Sequence, residues 1–255
     1  ASLSALTGYS KIQLTAFEQT NCIKFTDIAS EYSQLWAIRK GTFPAVGAVR
    51  ENGTTVIIED VAFPVAQLAN GVADLKRLFD KYQYDEAIIF GHALEGNLHF
   101  VFTQDFSTQA EVDRYQAFMD DVCQLVAVDY QGSLKAEHGT GRNMAPFVEL
   151  EWGKQGLALM QQIKQLFDPQ SLLNPGVIIN DDAHAHIKNL KALPAADPIV
   201  DKCIECGFCE PVCPSNGLSF TPRQRITTYR EISRLRKTNE DPKLLAELEK
   251  EFGYS

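Results

Sequence analysis

Four cysteines crowded into one short stretch constrain the fold of this chain more than any other feature. The stretch reads CIECGFCEPVCP from residue 203, and its cysteines fall within eleven residues. Cys22 and Cys123 stand far from it in the sequence, so the six cysteines do not have the spacing of a disulfide framework. Clustered thiols indicate instead a metal site, held in one loop, in a reducing compartment.

Composition and charge exclude several classes of protein. The 255 residues carry 33 acidic and 24 basic side chains, a formal net charge of -9, which argues against a nucleic-acid-binding surface. No apolar run reaches the roughly 18 residues of a membrane span. The first residues, ASLSALTGYS, lack the pattern of an export signal. We therefore expect a cytoplasmic protein without a transmembrane segment, and peripheral attachment to the inner face of a membrane stays open.

Hydrophobic periodicity predicts both strands and helices. A strand at 54–63 precedes a helix after Pro64, and two further strands, EAIIFGH and LHFVFTQ, flank a turn at Gly96. Helices are expected at about 108–130, 149–167, 221–237 and 241–252. These elements predict an α+β fold over 1–180, with a mixed or antiparallel sheet and flanking helices. A linker over 181–202 and a small cysteine-rich, helical segment over 203–255 follow.

Two histidines flank the predicted hairpin turn. On one unbroken strand His92 and His99 would face opposite sides, because seven residues is an odd separation. A reversal at Gly96 removes this problem, since glycine tolerates the positive φ of a tight turn and the two strands then lie side by side. Two imidazoles converging near a carboxylate could bind a divalent metal ion. The alternative is that they are hydrogen-bonded core histidines.

Three motifs, in order along the chain, resemble a known family. They are LWAIRKG at 35–41, GHALEGNLH at 91–99, and the stretch from KAEHGTGR at 135 to LLNPG at 176. Together they resemble the C-terminal, or cap, domain of the FAD-linked oxidases, which include D-lactate dehydrogenases, glycolate oxidase and D-2-hydroxyglutarate dehydrogenase. The resemblance covers about residues 35–180. It departs from the family pattern at Leu94 and Glu95, where the family has Gly and Asp, so the hairpin could differ locally at Leu94.

The resemblance implies specific roles for the residues of these motifs. It implies a divalent ion, zinc or manganese, with three ligands: His92, His99 and Glu137. It implies that His138 is the catalytic base and that Arg39 binds the substrate carboxylate, while Asn97 and His138 take part in cofactor binding. The family's glycine-rich loop for the FAD pyrophosphate has no counterpart in these residues, so we expect a segment of a larger flavoenzyme whose FAD is bound mainly by an upstream domain.

The cysteine spacing C-x2-C-x2-C-x3-C-P is that of bacterial ferredoxin-type [4Fe-4S] sites. A structural zinc site is the alternative, but zinc modules usually separate two cysteine pairs by a dozen or more residues. The expected ligands are Cys203, Cys206, Cys209 and Cys213. In two-cluster ferredoxins the fourth cysteine of such a run ligates the other cluster. Cys213 could therefore serve a second cluster, and a single cluster with all four cysteines is the alternative.

These expectations combine into one function and two rivals. The expected protein oxidises a D-2-hydroxy acid, most like D-lactate, to the 2-oxo acid and passes electrons from FAD to the cluster and on to a quinone or cytochrome. The first rival is a non-catalytic electron-transfer or assembly subunit of a glycolate-oxidase-like complex. The second is a zinc-stabilised interaction module.

Some residues have simpler interpretations. His184 and His186 lie in the predicted linker and are expected to be solvated, and Trp36 and Trp152 are expected to be core aromatics. A basic stretch begins at Arg223 and includes Arg230. It is interpreted as a solvated helix face, with a docking surface for an acidic electron-transfer partner as the alternative.

Overall fold

The computed structural model describes residues 26–190 and 193–252. The chain divides into two units between Ala45 and Val46. Helix α1 (Ala29–Val49) crosses that boundary. Trp36 and Trp152 are about half exposed, so their prediction as core aromatics is wrong. An apolar side chain at helical spacing indicates a face that can be buried, but it does not say what covers that face.

The second unit is built on a three-stranded antiparallel sheet in the order β1-β3-β2. The strands are β1 (Thr55–Ala62), β2 (Ile88–His92) and β3 (Asn97–Gln104). β-Branched residues at the start of β1 favour the extended backbone. The central strand β3 is buried along nearly its whole length, because it pairs with a strand on each side. The predicted α+β class with an antiparallel sheet is confirmed.

Helices α2 (Leu68–Tyr82), α3 (Gln109–Cys123) and α5 (Val148–Phe167) follow the predicted positions. α3 begins at Thr108, whose hydroxyl accepts a hydrogen bond from the backbone N–H of Glu111. The long helix predicted to reach residue 130 ends instead in a π-helical stretch, Gln124–Asp129. α5 contains a break at Gly153, with φ 70° and ψ 170°, which the apolar pattern alone does not reveal.

The core lies between the sheet and α2 and α3. Aromatic rings fill it, and four of them pack within 6.3 Å of a neighbouring ring: Phe79, Phe100, Phe102 and Phe118. Such edge-to-face and offset contacts add to the free energy gained by removing the rings from water. This core holds in place the sheet whose strands β2 and β3 carry His92 and His99.

The chain between α5 and the last two helices is irregular, with short 3-10 turns at Ala185–Ile187 and Val200–Lys202. His186 is buried and its ring lies 5.0 Å from that of Phe147, so the expectation that it is solvated is wrong. A polar composition without periodicity predicts a linker, but it does not exclude that one side chain packs back against the core.

Before α5 lie a short helix, α4 (Gly141–Met144), and a 3-10 turn at Ala145–Phe147. The last two helices are α6 (Pro222–Thr238) and α7 (Pro242–Phe252). Thr221 and Gln224 form a capping box at the start of α6. Over the described ranges, none of the helices combines the length and apolar character needed to cross a membrane.

Candidate metal and iron-sulfur sites

The β2-β3 hairpin brings the two predicted metal-binding histidines together. His92 ends β2 opposite Asn97, and His99 lies two residues further along β3 opposite Phe90. Their rings meet edge to face with centroids 5.7 Å apart. The reversal uses a 3-10 turn at Ala93–Glu95 followed by Gly96 at φ 69°. A Cβ at Gly96 would lie 2.0 Å from the carbonyl oxygen of Phe63, so glycine is required there.

The family departure at Leu94 does not disturb this turn. Leu94 lies within the 3-10 turn and points to solvent, with 70% of its surface exposed. A residue in a 3-10 turn has ordinary right-handed backbone angles, so it does not need the freedom of glycine. The local difference expected at Leu94 therefore leaves the two histidines facing the same region.

Glu137 completes a three-residue ligand group. Its Oε1 lies 2.8 Å from Nε2 of His99 and 3.6 Å from Nε2 of His92. One ligand atom from each residue lies within 4.8 Å of the other two. His99 is buried, whereas the Glu137 and His92 side chains are nearly half exposed. The group thus has a fixed inner side and an open outer side, where further ligands can enter.

His138 stands beside this group. Its ring stacks on that of His99 at a centroid distance of 4.9 Å, and its Nε2 lies 3.7 Å from Oε1 of Glu137. About half of the His138 side chain is exposed, on the open side of the site. A small molecule bound there could reach both the ligand group and the Nε2 of His138.

Asp60, on β1, stabilises this arrangement by hydrogen bonds. It is fully buried and pairs in register with His99. Its Oδ2 accepts hydrogen bonds from the backbone N–H groups of Glu137 (2.7 Å) and His138 (2.8 Å). Its Oδ1 accepts one from Nδ2 of Asn97 (2.7 Å). A single carboxylate therefore connects β3 with the loop that carries Glu137 and His138.

The charges of this site follow from burial and hydrogen bonding. Burial lowers the pKa of His99, which favours the neutral imidazole that binds metal ions. Burial alone would raise the pKa of Asp60, but the hydrogen bonds from Glu137, His138 and Asn97 outweigh it and hold that pKa below its usual value. Asp60 is therefore an anion at neutral pH, next to a neutral His99.

The four predicted cluster cysteines lie in the loop before α6. Cys209 is exposed, and the other three are partly buried. The loop turns through Glu205 and Gly207, which both have positive φ. Among the described residues, no three of these sulfurs lie mutually within 4.8 Å.

Comparison with known proteins identifies the family. Residues 11–178 match the family described as FAD linked oxidases, C-terminal domain. The chain belongs to the FAD-linked oxidases. Residues 197–219 match the 4Fe-4S binding domain, which contains all four clustered cysteines. Both resemblances stated from the sequence motifs are confirmed.

Three relatives illustrate the range of this family. Glycolate oxidase subunit GlcD of Bacillus subtilis is 30% identical over 159 residues, which is 62% of this chain and 33% of that protein. D-2-hydroxyglutarate dehydrogenase of Xanthomonas citri pv. viticola is 32% identical over 152 residues, 58% of this chain and 30% of that protein. The mitochondrial D-lactate dehydrogenase [cytochrome] of Arabidopsis thaliana is 31% identical over 158 residues, 61% of this chain and 27% of that protein. The aligned region thus spans a third or less of each relative's length.

Arg39 is the residue predicted to bind the substrate carboxylate. It lies on α1 in the first unit, with its guanidinium carbon 5.7 Å from the centroid of the Trp36 ring. Its assignment to the substrate carboxylate stays a prediction.

Sequence reasoning missed two residues of this FAD-linked oxidase that organise the site. Asp60 is one, and Glu59 beside it is the other. Glu59 is buried, forms an ion pair with Lys135 and accepts a hydrogen bond from Nδ2 of Asn143 (2.6 Å). Successive strand residues point to opposite faces, so Glu59 holds the loop at Lys135 from one face of β1 and Asp60 holds it at Glu137 and His138 from the other. Two adjacent acids inside an apolar strand were the available signal, since carboxylates are almost never buried without partners.

Proposed function

We propose that this chain is the C-terminal part of a flavin- and iron–sulfur-dependent dehydrogenase that oxidises a D-2-hydroxy acid, most like D-lactate, to the 2-oxo acid. The observation that carries the proposal is the meeting of His92, His99 and Glu137 next to the open Nε2 of His138. The proposed organisation is a cap domain over 1–180, a linker over 181–202 and an iron–sulfur segment over 203–255.

The ligand group suits a divalent ion, zinc or manganese. Two imidazoles and one carboxylate are a common donor set, and three protein ligands leave positions for a chelating substrate. The lowered pKa of His99 keeps that ligand neutral. Its buried Nδ1 has no hydrogen-bond partner among the described residues and points toward Asp60, 3.6 Å away. This arrangement leaves Nε2 for the ion.

The bound groups and the protein divide the chemistry. A divalent ion held by His92, His99 and Glu137 would supply acidification of the substrate hydroxyl, and a bound flavin would supply the hydride acceptor. His138 takes the hydroxyl proton at Nε2 as general base. Asp60 holds the backbone of His138 by a hydrogen bond to its N–H and so fixes where the ring stands. Asn97 is proposed to contribute to the cofactor side of the site, and Arg39 to bind the substrate carboxylate.

The electron path follows from the second site. The four thiols at Cys203, Cys206, Cys209 and Cys213 are the donor set of a [4Fe-4S] cluster. A cluster accepts electrons singly, so it suits a chain that leads from a two-electron flavin to a quinone or cytochrome. The name of the Arabidopsis relative, a D-lactate dehydrogenase [cytochrome], supports a cytochrome. We place the protein in the cytoplasm, with peripheral attachment to the membrane as the alternative.

The test uses the full-length protein with D-lactate, glycolate and D-2-hydroxyglutarate as substrates. D-Lactate is expected to give the highest kcat/KM. His138→Ala is expected to lower kcat by about 10² to 10⁴, the usual contribution of a general base. His184→Ala, an exposed histidine outside the site, is the matched control and should leave kcat unchanged.

The same measurement distinguishes the rival function. A His138→Ala variant with unchanged kcat would refute the catalytic assignment. No turnover of any of the three substrates by the parent protein would instead favour a non-catalytic electron-transfer or assembly subunit of a glycolate-oxidase-like complex, which has no need of a base or of the metal group.

A further inference from the structure

Two buried arginines meet at the first cysteine of the iron–sulfur loop. Arg50 lies between α1 and β1, and Arg230 lies on α6. They are 6% and 3% exposed, although the sequence predicted the basic stretch around Arg230 to be a solvated face or a docking surface. That prediction is wrong for Arg230, because its side chain turns inward against the backbone of the cysteine loop.

Both guanidinium groups donate to the same carbonyl oxygen. Nη2 of Arg230 donates to the carbonyl of Cys203 at 2.7 Å, and Nη2 of Arg50 donates to it at 3.0 Å. Arg50 also donates to the carbonyl of Asp201 at 2.6 Å, and Arg230 to that of Val200 at 2.9 Å. Nη1 of Arg230 forms an ion pair with Oε1 of Glu205 at 3.0 Å. We call Arg50 and Arg230 the arginine pair.

Hydrogen bonding alone does not require two charges here. Neutral donors could satisfy the same carbonyl groups without the repulsion of two buried cations. The Nε atoms of both arginines are buried without a hydrogen-bond partner among the described residues. Glu205 supplies one compensating negative charge, and a cluster ligated by Cys203 would add to it.

An iron–sulfur cluster supplies such charge. Four thiolates outweigh the charge of the cluster core, and the unit becomes more negative by one charge when it accepts an electron. Net charge near a cluster is one of the factors that set its reduction potential. The arginine pair donates to the carbonyl oxygen of Cys203, the residue that also carries the first thiolate. Both arginines are buried, and screening by water and salt is weak inside a protein.

We propose that the arginine pair raises the reduction potential of the [4Fe-4S] cluster by stabilising its reduced form. The proposal rests on the function given above, because it requires that Cys203 ligates the cluster. One electron passes from the reduced flavin to the cluster, no proton is taken up at the arginines, and the electron then leaves for the downstream acceptor. The arginines are positioning and charge-setting residues, and they touch neither the substrate nor the flavin.

The experiment measures the midpoint potential of the cluster in the full-length protein, by anaerobic titration followed by electron paramagnetic resonance, together with iron content. Arg50→Gln should keep the iron and lower the midpoint by about 59 mV or more, a tenfold change in the ratio of reduced to oxidised cluster for one electron. Arg50→Lys keeps the charge and should stay within half of that shift. Arg236→Gln, an exposed arginine of α6 paired with Glu249, is the matched control.

A second variant tests the sign without removing an arginine. Glu205→Gln deletes the acid paired with Arg230 and should raise the midpoint potential. An unchanged midpoint in both Arg50→Gln and Glu205→Gln would overturn the proposal. So would equal shifts in Arg50→Lys and Arg50→Gln, or loss of iron in Arg50→Gln with no shift in Glu205→Gln, because these results indicate a purely structural role. A parent protein without iron would instead refute the cluster itself.

Discussion

The histidine site and the cysteine loop are organised in opposite ways. At the histidine site a buried anion, Asp60, accepts hydrogen bonds from the Asn97 side chain and from the backbone N–H groups of Glu137 and His138. In the cysteine loop two buried cations, the arginine pair, donate to the backbone carbonyl groups of Val200, Asp201 and Cys203. The sulfurs there are not drawn to one point among the described residues.

The difference suits the two kinds of inorganic group. A single ion requires ligand atoms that meet within a few ångströms, and a rigid sheet with a buried carboxylate provides this. A four-iron cluster is larger and its ligands surround it, so a held backbone with adjustable thiols is sufficient. We therefore expect damage to one region to leave the other intact, and the following changes test that independence.

The largest effect is expected at the ion pair that anchors the histidine site. Lys135→Met leaves the buried Glu59 carboxylate without its cation and should lower the free energy of unfolding by about 3–5 kcal/mol. Burial raises the pKa of Glu59 and Lys135 opposes this, so the variant should raise that pKa further. An acid with a raised pKa in the folded state is destabilising as pH rises above its unfolded value, so the loss should shrink as the pH falls toward about 4, where the carboxyl group is protonated in both states.

Chemical denaturation at several pH values measures this loss. Lys154→Met, an exposed lysine of α5, is the control and should stay within about 0.5 kcal/mol of the parent. The iron content of the folded fraction should not change. A similar loss at all pH values, or in both variants, would contradict the role of the Glu59 charge.

Next in size is the loss of a direct metal ligand. His99→Ala should weaken zinc or manganese binding at the histidine site by more than about a hundredfold, since even residues behind the ligands contribute 10- to 100-fold. Cys206→Ser is the reciprocal change and should remove iron while leaving zinc binding intact. Elemental analysis of both variants decides the matter. Retention of the same zinc in His99→Ala would show that the ion lies elsewhere.

Sequence reasoning located the elements of the histidine site because its signals are local. The alternation in β2 and β3 and the glycine at position 96 specify a hairpin, and a hairpin brings His92 and His99 to one side. Asp60 could not be found in this way, because its partners are 37 to 78 residues away along the chain. Such long-range hydrogen bonds leave no periodic pattern. The same reason explains the burial of Arg230 and His186, whose partners come from other segments.

A smaller effect is expected at Asp60. Asp60→Asn preserves the shape of the side chain but replaces one accepting oxygen with an NH2 group. That group cannot accept from the N–H groups that now donate to Asp60, so at least one hydrogen bond is lost. Metal binding should weaken by about 10- to 100-fold, with the secondary structure retained. Isothermal titration with zinc measures it, and Asp85→Asn, an exposed control, should bind as the parent does. Equal affinities in the two variants would remove Asp60 from the site.

The smallest effect concerns the thiol of Cys213. The hydroxyl of Ser215 lies 3.2 Å from Sγ of Cys213, and this hydrogen bond, with the nearby charge of Arg225, lowers the pKa of that thiol. In the cluster-free chain Cys213 should therefore be alkylated by iodoacetamide faster than Cys209 near neutral pH, because the thiolate is the nucleophile.

Ser215→Ala should raise the pKa of the Cys213 thiol and slow its alkylation a few-fold. Ser219→Ala is the matched control, since Ser219 shares the hydrogen bond to Arg225 without that contact to the thiol. Mass spectrometry of the alkylated peptides gives the rates. If Ser215→Ala and Ser219→Ala react alike, the hydroxyl does not tune Cys213, and the thiols of the loop are equivalent until a cluster binds.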